Sequence, residues 1–217
     1  MKHLFTFFLI LLVTHANPFD CSAGDLVVAR FSEGNLTGWQ SKEFSGLTRY
    51  DFITLDGKQF LRATSDKSAS GLFRKVKIDL FKYPFINWTW RIEKPLSIDD
   101  ETVKKGDDYA ARLYVVLDGG VFFWKTKALN YVWSSGSQKL RNWPNAFAGN
   151  NAIMLALRTS EDQIGVWHHE KRDIRKDFRK FIGQDVHSLD AVAIMTDTDN
   201  SKGTASAYYG DIYFTSD

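Results

Sequence analysis

Two groups of carboxylates are the residues of this 217-residue chain whose types and spacing best suit chemistry. The first is the pair Asp107 and Asp108, which stands between an acidic loop and a strand-like segment that begins at Tyr109. Adjacent carboxylates at the end of a strand can bind a hard cation, or can serve as a general acid and base. The alternative is a polar turn whose side chains accept hydrogen bonds from backbone N–H groups. The sequence leaves all three interpretations open.

The second group is Asp197 and Asp199, in the acidic segment DTDNS. Its spacing resembles the start of an EF-hand calcium loop. However, Lys202 stands where that loop needs glycine, and Tyr208 stands where it needs a bidentate acid. The segment is therefore not an EF-hand. It predicts a hairpin turn between the flanking strands, or a calcium site of another kind.

Polar side chains also interrupt strand-like segments that are otherwise apolar. Arg91 in INWTWRI and Arg112 in YAARLYV each fall on the face opposite the apolar residues. Such positions form either a solvated face or the floor of a ligand groove. Aromatic neighbours can hold the apolar face of a sugar ring. The predicted ligand-binding residues, a polar floor with an aromatic edge, are Arg91, Asp108, Arg112, Asn130, Tyr131 and Trp133. Trp143, next to a proline, is expected in an exposed loop.

Composition and motifs exclude several classes of function. Lys and Arg total 28 and Asp and Glu total 26, so a net charge of +2 gives no argument for nucleic-acid binding. The single cysteine excludes a disulfide framework and a thiolate zinc cluster. His168 and His169 are adjacent, so in a strand they point to opposite faces and do not predict a zinc site. The sequence contains no nucleophile elbow, P-loop or dinucleotide-binding fingerprint.

The elements that must position these residues are mostly strands, because β-branched and aromatic residues alternate with polar ones along most of the chain. Asp56 and Gly57 predict a hairpin turn, since both tolerate positive φ. Short strands separated by turns predict an all-β fold, a two-sheet β-sandwich of the jelly-roll type. The predicted strands are 27–31, 49–55, 59–64, 72–78, 85–92, 110–117, 121–125, 129–133, 152–158, 164–168, 191–196 and 206–214.

One short helix is predicted over residues 173–182, where four apolar residues form a single stripe. Asp173 can cap its start, and Gly183 fits the left-handed position after its end. Six Lys and Arg residues lie in or beside this segment. They predict either a patch for an anionic surface or a solvated face whose charges pair with the helix's own aspartates.

The amino terminus predicts an export signal. A short basic end precedes an apolar run of about ten residues, and the segment THA then offers small residues for cleavage after Ala16. The run is too short to cross a membrane as a helix, although an uncleaved anchor is the alternative. We therefore predict a signal peptide over 1–16 and a single β-sandwich domain over 17–217.

Four ordered motifs carry a resemblance to a known family: GDDYAARLYVV at 106–116, ALNYVW at 128–133, IMTDTDN at 194–200 and YYGDIYF at 208–214. They resemble a bacterial envelope family known as domain of unknown function 3047. The resemblance implies a secreted protein and transfers no catalytic residue. The Trp-rich middle strand and the closing GDIYF also resemble galactose-binding-like jelly rolls. Many of these are carbohydrate-binding modules that hold a structural calcium, for which the resemblance implies Asp211 as a ligand.

The sequence therefore predicts a periplasmic or secreted protein that binds a glycan or glycan-like ligand without catalysis. Two alternatives stay open: a polysaccharide-active enzyme with Asp107 or Asp108 as its acid–base group, and an envelope assembly partner whose basic helix docks on an acidic surface. No cofactor is expected apart from a structural calcium at Asp197, Asp199 and Asp211. We expect no nucleic-acid partner and no transmembrane segment after signal cleavage.

Overall fold

The structure is a computed structural model that describes residues 24–120, 125–139 and 141–217. The predicted signal peptide and most of the candidate strand at 121–125 lie outside these ranges. Among the described residues, no helix is both long enough and apolar enough to cross a membrane.

Within the described ranges, thirteen strands form two sheets. The strands of the six-stranded sheet are β1 (Leu26–Ala29), β3 (Arg49–Leu55), β4 (Lys58–Asp66), β6 (Phe85–Ile92), β11 (His168–Asp173) and β13 (Thr204–Thr215). Their order is β11-β6-β13-β4-β3, with β1 paired to β13. The strands of the seven-stranded sheet are β2 (Trp39–Ser45), β5 (Ala69–Asp79), β7 (Arg112–Leu117), β8 (Lys127–Trp133), β9 (Asn142–Asn145), β10 (Gly149–Arg158) and β12 (Ser188–Asp197). Their order is β2-β5-β12-β7-β8-β10-β9. Strands β8 and β10 pair in parallel.

A shared apolar core joins the inner faces of the two sheets. Trp88 and Trp90 of β6 are fully buried, and each contacts an aromatic residue of the other sheet. The ring centroids of Trp88 and Tyr131 lie 5.3 Å apart, and those of Trp90 and Trp133 lie 6.0 Å apart. Burying each tryptophan contributes about 2–3 kcal/mol from its apolar area. The predicted β-sandwich and the predicted inner face of β6 are both confirmed.

Of the two hairpin turns predicted from the sequence, one is confirmed and the other is wrong. The hairpin at Asp56 and Gly57 is confirmed: both residues have positive φ, 50° and 76°, and they join β3 to β4. The hairpin predicted at 197–201 is wrong, because β12 and β13 belong to different sheets. That segment instead crosses from one sheet to the other, and this crossing places Asp197 at the end of an inner strand of the seven-stranded sheet.

The predicted helix is present, but it changes geometry part-way. Helix α1 (Ile174–Asp177) is capped at its start by Asp173, whose side chain accepts a hydrogen bond from the Lys176 backbone N–H. A π-helical turn (Phe178–Ile182) follows and ends at Gly183, which is left-handed with φ 76°. Four of the basic side chains pair with nearby acids, which favours the solvated-face interpretation; the pairs are Arg172–Asp177, Arg175–Asp185, Lys176–Asp173 and Arg179–Asp185.

The structure contains two strands that the sequence does not predict, and it lacks one predicted strand. Strands β2 and β9 were not expected, because each is a mostly polar edge strand of its sheet. The strand predicted over 164–168 is wrong. β11 begins only at His168, and the loop before it places Trp167 on Phe60, with ring centroids 3.9 Å apart.

Candidate functional site

A groove of about 450 Å³ crosses the outer face of the seven-stranded sheet. Every strand of that sheet contributes a lining residue, from β2 at one edge to β9 at the other. Six inter-strand spacings of ~4.8 Å give a path of roughly 29 Å across the sheet. Phe44 of β2 and Phe147, just after β9, line its two ends and are 65% and 60% exposed. The groove therefore has apolar ends and, between them, a floor whose polar side chains are mostly buried beneath a largely apolar accessible surface.

Arg112 forms the centre of the floor. It begins β7, where strand alternation sends Leu113 to the core and Arg112 to the outer face. Its Nε donates to Asp197 Oδ1 at 2.9 Å, and its Nη2 donates to Asp197 Oδ2 and to the backbone oxygen of Asp107. Its Nη1 donates to Tyr114 Oη at 3.2 Å. The guanidinium is only 3% exposed, so these partners replace the water that it loses.

Asp197 is the buried counterpart of this arginine. Burial raises the pKa of Asp197 to about 8; Arg112 opposes the rise, and the neighbouring carboxylates of Asp108 and Asp107 add to it. Asp199, which is partly exposed, also has a raised pKa because of burial and the charge of Asp108. The floor thus concentrates more negative than positive charge.

Asp107 and Asp108 hold the loops that border the floor. Asp107 accepts hydrogen bonds from Asn145 Nδ2 at 3.1 and 3.3 Å. Asp108 is fully buried and accepts from the backbone N–H groups of Asn200 and Ser201 at 3.2 and 2.5 Å. The Asp107 contacts tie the segment before β7 to β9, and the Asp108 contacts tie it to the crossing segment after β12. They match the polar-turn interpretation of this pair.

The structure brings only some of the predicted ligand-binding residues together. Arg112 and Asn130 line the groove. Asp108 does not line it, but accepts a hydrogen bond from Asn200, which does. Arg91 lies in β6 of the other sheet, where it pairs with Glu93 at 3.1 Å, so it cannot share this floor.

The predicted aromatic edge does not form, because neighbouring residues of β8 point to opposite faces. Asn130 faces the groove, whereas Tyr131 and Trp133 are buried in the core. Tyr131 Oη donates to Asp177 Oδ2 at 2.8 Å, which ties the core to α1. Trp143 is likewise corrected: it is 5% exposed and lies in β9, where it stacks on Tyr109.

Phe44 and Phe147 are the aromatic residues that sequence reasoning missed. Each stands in a polar segment, and nothing local in the sequence shows that these segments lie at opposite edges of one sheet. Their large exposed fraction is the useful signal, and only the three-dimensional structure supplies it.

The calcium site expected at Asp197, Asp199 and Asp211 does not assemble. Asp211 lies elsewhere and accepts from the Ser32 backbone N–H and hydroxyl at 2.8 and 2.6 Å. Asp108, Asp197 and Asp199 do converge, with one oxygen of each within 4.8 Å of the others. Calcium takes six to eight oxygen ligands. Here Asp108 and Asp197 already accept bonds from backbone and arginine N–H groups, and a guanidinium is adjacent, so the cluster fits calcium poorly.

Comparison with family models gives a match to "Protein of unknown function (DUF3047)" over residues 37–213. The chain belongs to the DUF3047 family. This confirms the resemblance carried by the four sequence motifs. No curated protein matches the chain.

Solved structures with a similar fold include two of nearly the same extent. The family 30 carbohydrate-binding module of a cellulosomal cellulase from Clostridium thermocellum has a TM-score of 0.51 and 11% identity, covering 89% of this chain and 98% of its own. The cellulose-induced protein Cip1 has a TM-score of 0.50 and 9% identity, covering 87% of this chain and 96% of its own. At such identities the likeness shows the fold alone, a β-sandwich shared with carbohydrate-binding modules.

Proposed function

We propose that this DUF3047 protein is an exported, non-catalytic binding protein whose ligand is a glycan chain, held in the groove across the seven-stranded sheet. The observation that carries the proposal is the groove itself: an open path over all seven strands, with exposed Phe44 and Phe147 at its two ends and a fixed polar floor between them. Sugar rings present apolar C–H faces to aromatic rings and hydroxyls to polar groups.

The fold adds support by analogy. A carbohydrate-binding module from a cellulase shares the two-sheet architecture over almost its whole length. Fold does not determine function, so this analogy favours a glycan over other elongated ligands but does not identify the ligand. Export rests on the sequence, since the amino-terminal segment has the pattern of a secretory signal.

The two alternatives lose their main support. An acid–base role for Asp108 needs a carboxyl that can reach a substrate, but this side chain is fully buried and bonded to backbone amides. Asp107 is engaged by Asn145 and lies 3.6 Å from Arg112 Nη1. The basic helix proposed for partner docking pairs four of its six cations with three carboxylates, so about half of its positive charge is compensated.

A glycan screen with matched phenylalanine variants tests the proposal. Envelope and plant polysaccharides are screened by affinity electrophoresis, and hits are measured by calorimetry. Phe147→Ala should weaken binding about fivefold to tenfold, because an aromatic contact at a binding site is worth roughly 1–1.5 kcal/mol. Phe81→Ala is the control, since Phe81 is similarly exposed (63%) but lies outside the groove.

The proposal requires a hit whose affinity depends on Phe147 and not on Phe81. It fails if no polysaccharide binds, or if both variants bind as the wild type does.

A further inference from the structure

The charge and hydrogen-bonding capacity of the groove indicate which sugars it accepts, an inference that rests on the proposed function. Among the described residues that line the groove, Arg112 is the only basic one. Its N–H groups donate to Asp197, to the Asp107 backbone oxygen and to the Tyr114 hydroxyl. The guanidinium is 3% exposed, so it cannot turn toward a ligand without breaking these bonds. An acidic sugar would find no available cation among the described lining residues, although Lys104 Nζ borders the Phe147 end, 5.3 Å from the ring centroid.

The acceptors of the groove, in contrast, are in excess. Asp107, Asp197 and Asp199 line it with a single guanidinium to balance them. Even with Asp197 protonated, the two remaining carboxylates outnumber the arginine. Asp199 is only partly buried; burial and the Asp108 charge raise its pKa, and the charges of Arg112 and Lys202 only partly offset that rise. A cation in direct contact with Asp199 would relieve the remaining repulsion.

An unpaired acceptor in the same floor points the same way. The Asn130 side chain is 1% exposed and lines the groove, and its Nδ2 donates to the Ile153 backbone oxygen. Its Oδ1 is buried, and no described residue donates a hydrogen bond to it. A buried acceptor without a donor is unfavourable and adds to the negative potential of the floor. Both the excess carboxylates and the unpaired Asn130 Oδ1 therefore favour a ligand that carries hydrogen-bond donors.

We propose that the groove recognises glycan units that carry a free amino group, with the sugar ammonium placed beside Asp199, and that it rejects acidic glycans. The ammonium supplies three donors and one positive charge, which complement the acceptors and the excess carboxylate of the floor. Hydroxyl-bearing sugars bind more weakly, and carboxylate-bearing sugars meet like charge.

The test compares oligosaccharides of equal length and one β-1,4 backbone that differ in the C2 substituent: glucose, N-acetylglucosamine and glucosamine oligomers. A uronic acid oligomer is the fourth arm. Binding is measured by calorimetry at mildly acidic pH, where the sugar amine is protonated, and at two salt concentrations. The glucosamine oligomer should bind about fivefold more tightly than the glucose oligomer, with an advantage that shrinks at high salt. The uronate should not bind.

Two variants test whether Asp199 causes the preference for the amine-bearing oligomer. Asp199→Asn removes one charge with little change of shape and should abolish the advantage of the amine, while the glucose oligomer binds as before. Glu161→Gln removes an exposed charge outside the groove and should leave the advantage intact.

The outcomes separate the two proposals. Equal or weaker binding of the glucosamine oligomer, or binding of the uronate, overturns the amine preference while a neutral hit keeps the glycan function. An amine advantage that survives Asp199→Asn also overturns this inference. If no oligomer binds and the wider screen finds nothing, both proposals fall together.

Discussion

Replacing Arg112 with methionine tests whether the floor of the groove is built around a buried charge pair. Methionine keeps much of the aliphatic volume, so the change removes mainly the guanidinium. Asp197, which is 1% exposed, then loses the one cationic partner that it has among the described residues, and the Asp107 carbonyl and the Tyr114 hydroxyl lose a donor. Breaking a buried pair from one side costs about 3–5 kcal/mol, since it strands the remaining charge.

The cost should depend on pH, and the raised pKa of Asp197 gives the sign. With a folded-state pKa of about 8, against about 3.9 when unfolded, the folded protein holds this proton more tightly. Asp197 therefore favours folding most below pH 4 and loses that contribution as the pH rises through 8. Losing Arg112 raises the pKa of Asp197 further. The penalty of Arg112→Met should be largest near pH 9 and much smaller near pH 5, where protonation removes the stranded charge.

Urea unfolding followed by tryptophan fluorescence measures these free energies. The double variant Arg112→Met with Asp197→Asn removes both charges, so its cost should be below the sum of the single costs. Arg49→Met is the control: Arg49 pairs with Asp51 at 3.5 Å but is 68% exposed, and its loss should cost no more than about 1 kcal/mol. A cost of Arg112→Met below about 1 kcal/mol at pH 9, or full additivity in the double variant, would refute the reasoning.

Two further predictions concern residues that the sequence assigned to the site. Tyr131→Phe should lower the free energy of unfolding by about 1 kcal/mol, because it removes the hydrogen bond to Asp177. Glycan affinity should stay unchanged; a loss of binding without a loss of stability would show that Tyr131 contacts the ligand. Millimolar calcium or EDTA should leave the melting temperature unchanged, because Asp108 and Asp197 are already occupied by other donors and Asp211 lies apart; a calcium-dependent rise of several degrees would show a metal site at these carboxylates.

The fold was largely predictable because its signal is local. In β6, the alternation correctly predicts that Trp88 and Trp90 lie in the core, although Asn87 and Thr89 of the opposite face are buried as well, at 3% and 4% exposure. The same rule, applied to β8, would have separated Asn130 from Tyr131. Adjacent residues of one strand point to opposite faces, so Asn130 and Tyr131 cannot belong to the same groove.

The rest of the site depends on contacts that are distant in sequence. Phe44 and Phe147 are about a hundred residues apart, and only the strand order β2-β5-β12-β7-β8-β10-β9 places them at the two ends of one groove. Trp143 illustrates the converse. Its neighbouring proline suggested a loop, but the ring is covered by Tyr109, and its Nε1 donates to the Glu101 backbone oxygen at 3.2 Å. Proline is tolerated there because β9 is an edge strand.

The hydrogen bonds of the acidic floor also determine how binding and stability should be coupled. Arg112 and Asp108 join the segment before β7 to the segment after β12, so the floor is held in one arrangement before any ligand arrives. A preorganised floor spares the ligand the cost of ordering it. Substitutions of the buried residues Arg112 and Asp108 should therefore lower stability and affinity together. Phe44 and Phe147 are mostly exposed, so substitutions there should change affinity alone. Selection for a new glycan could then act on the two ends of the groove without loosening the sheet.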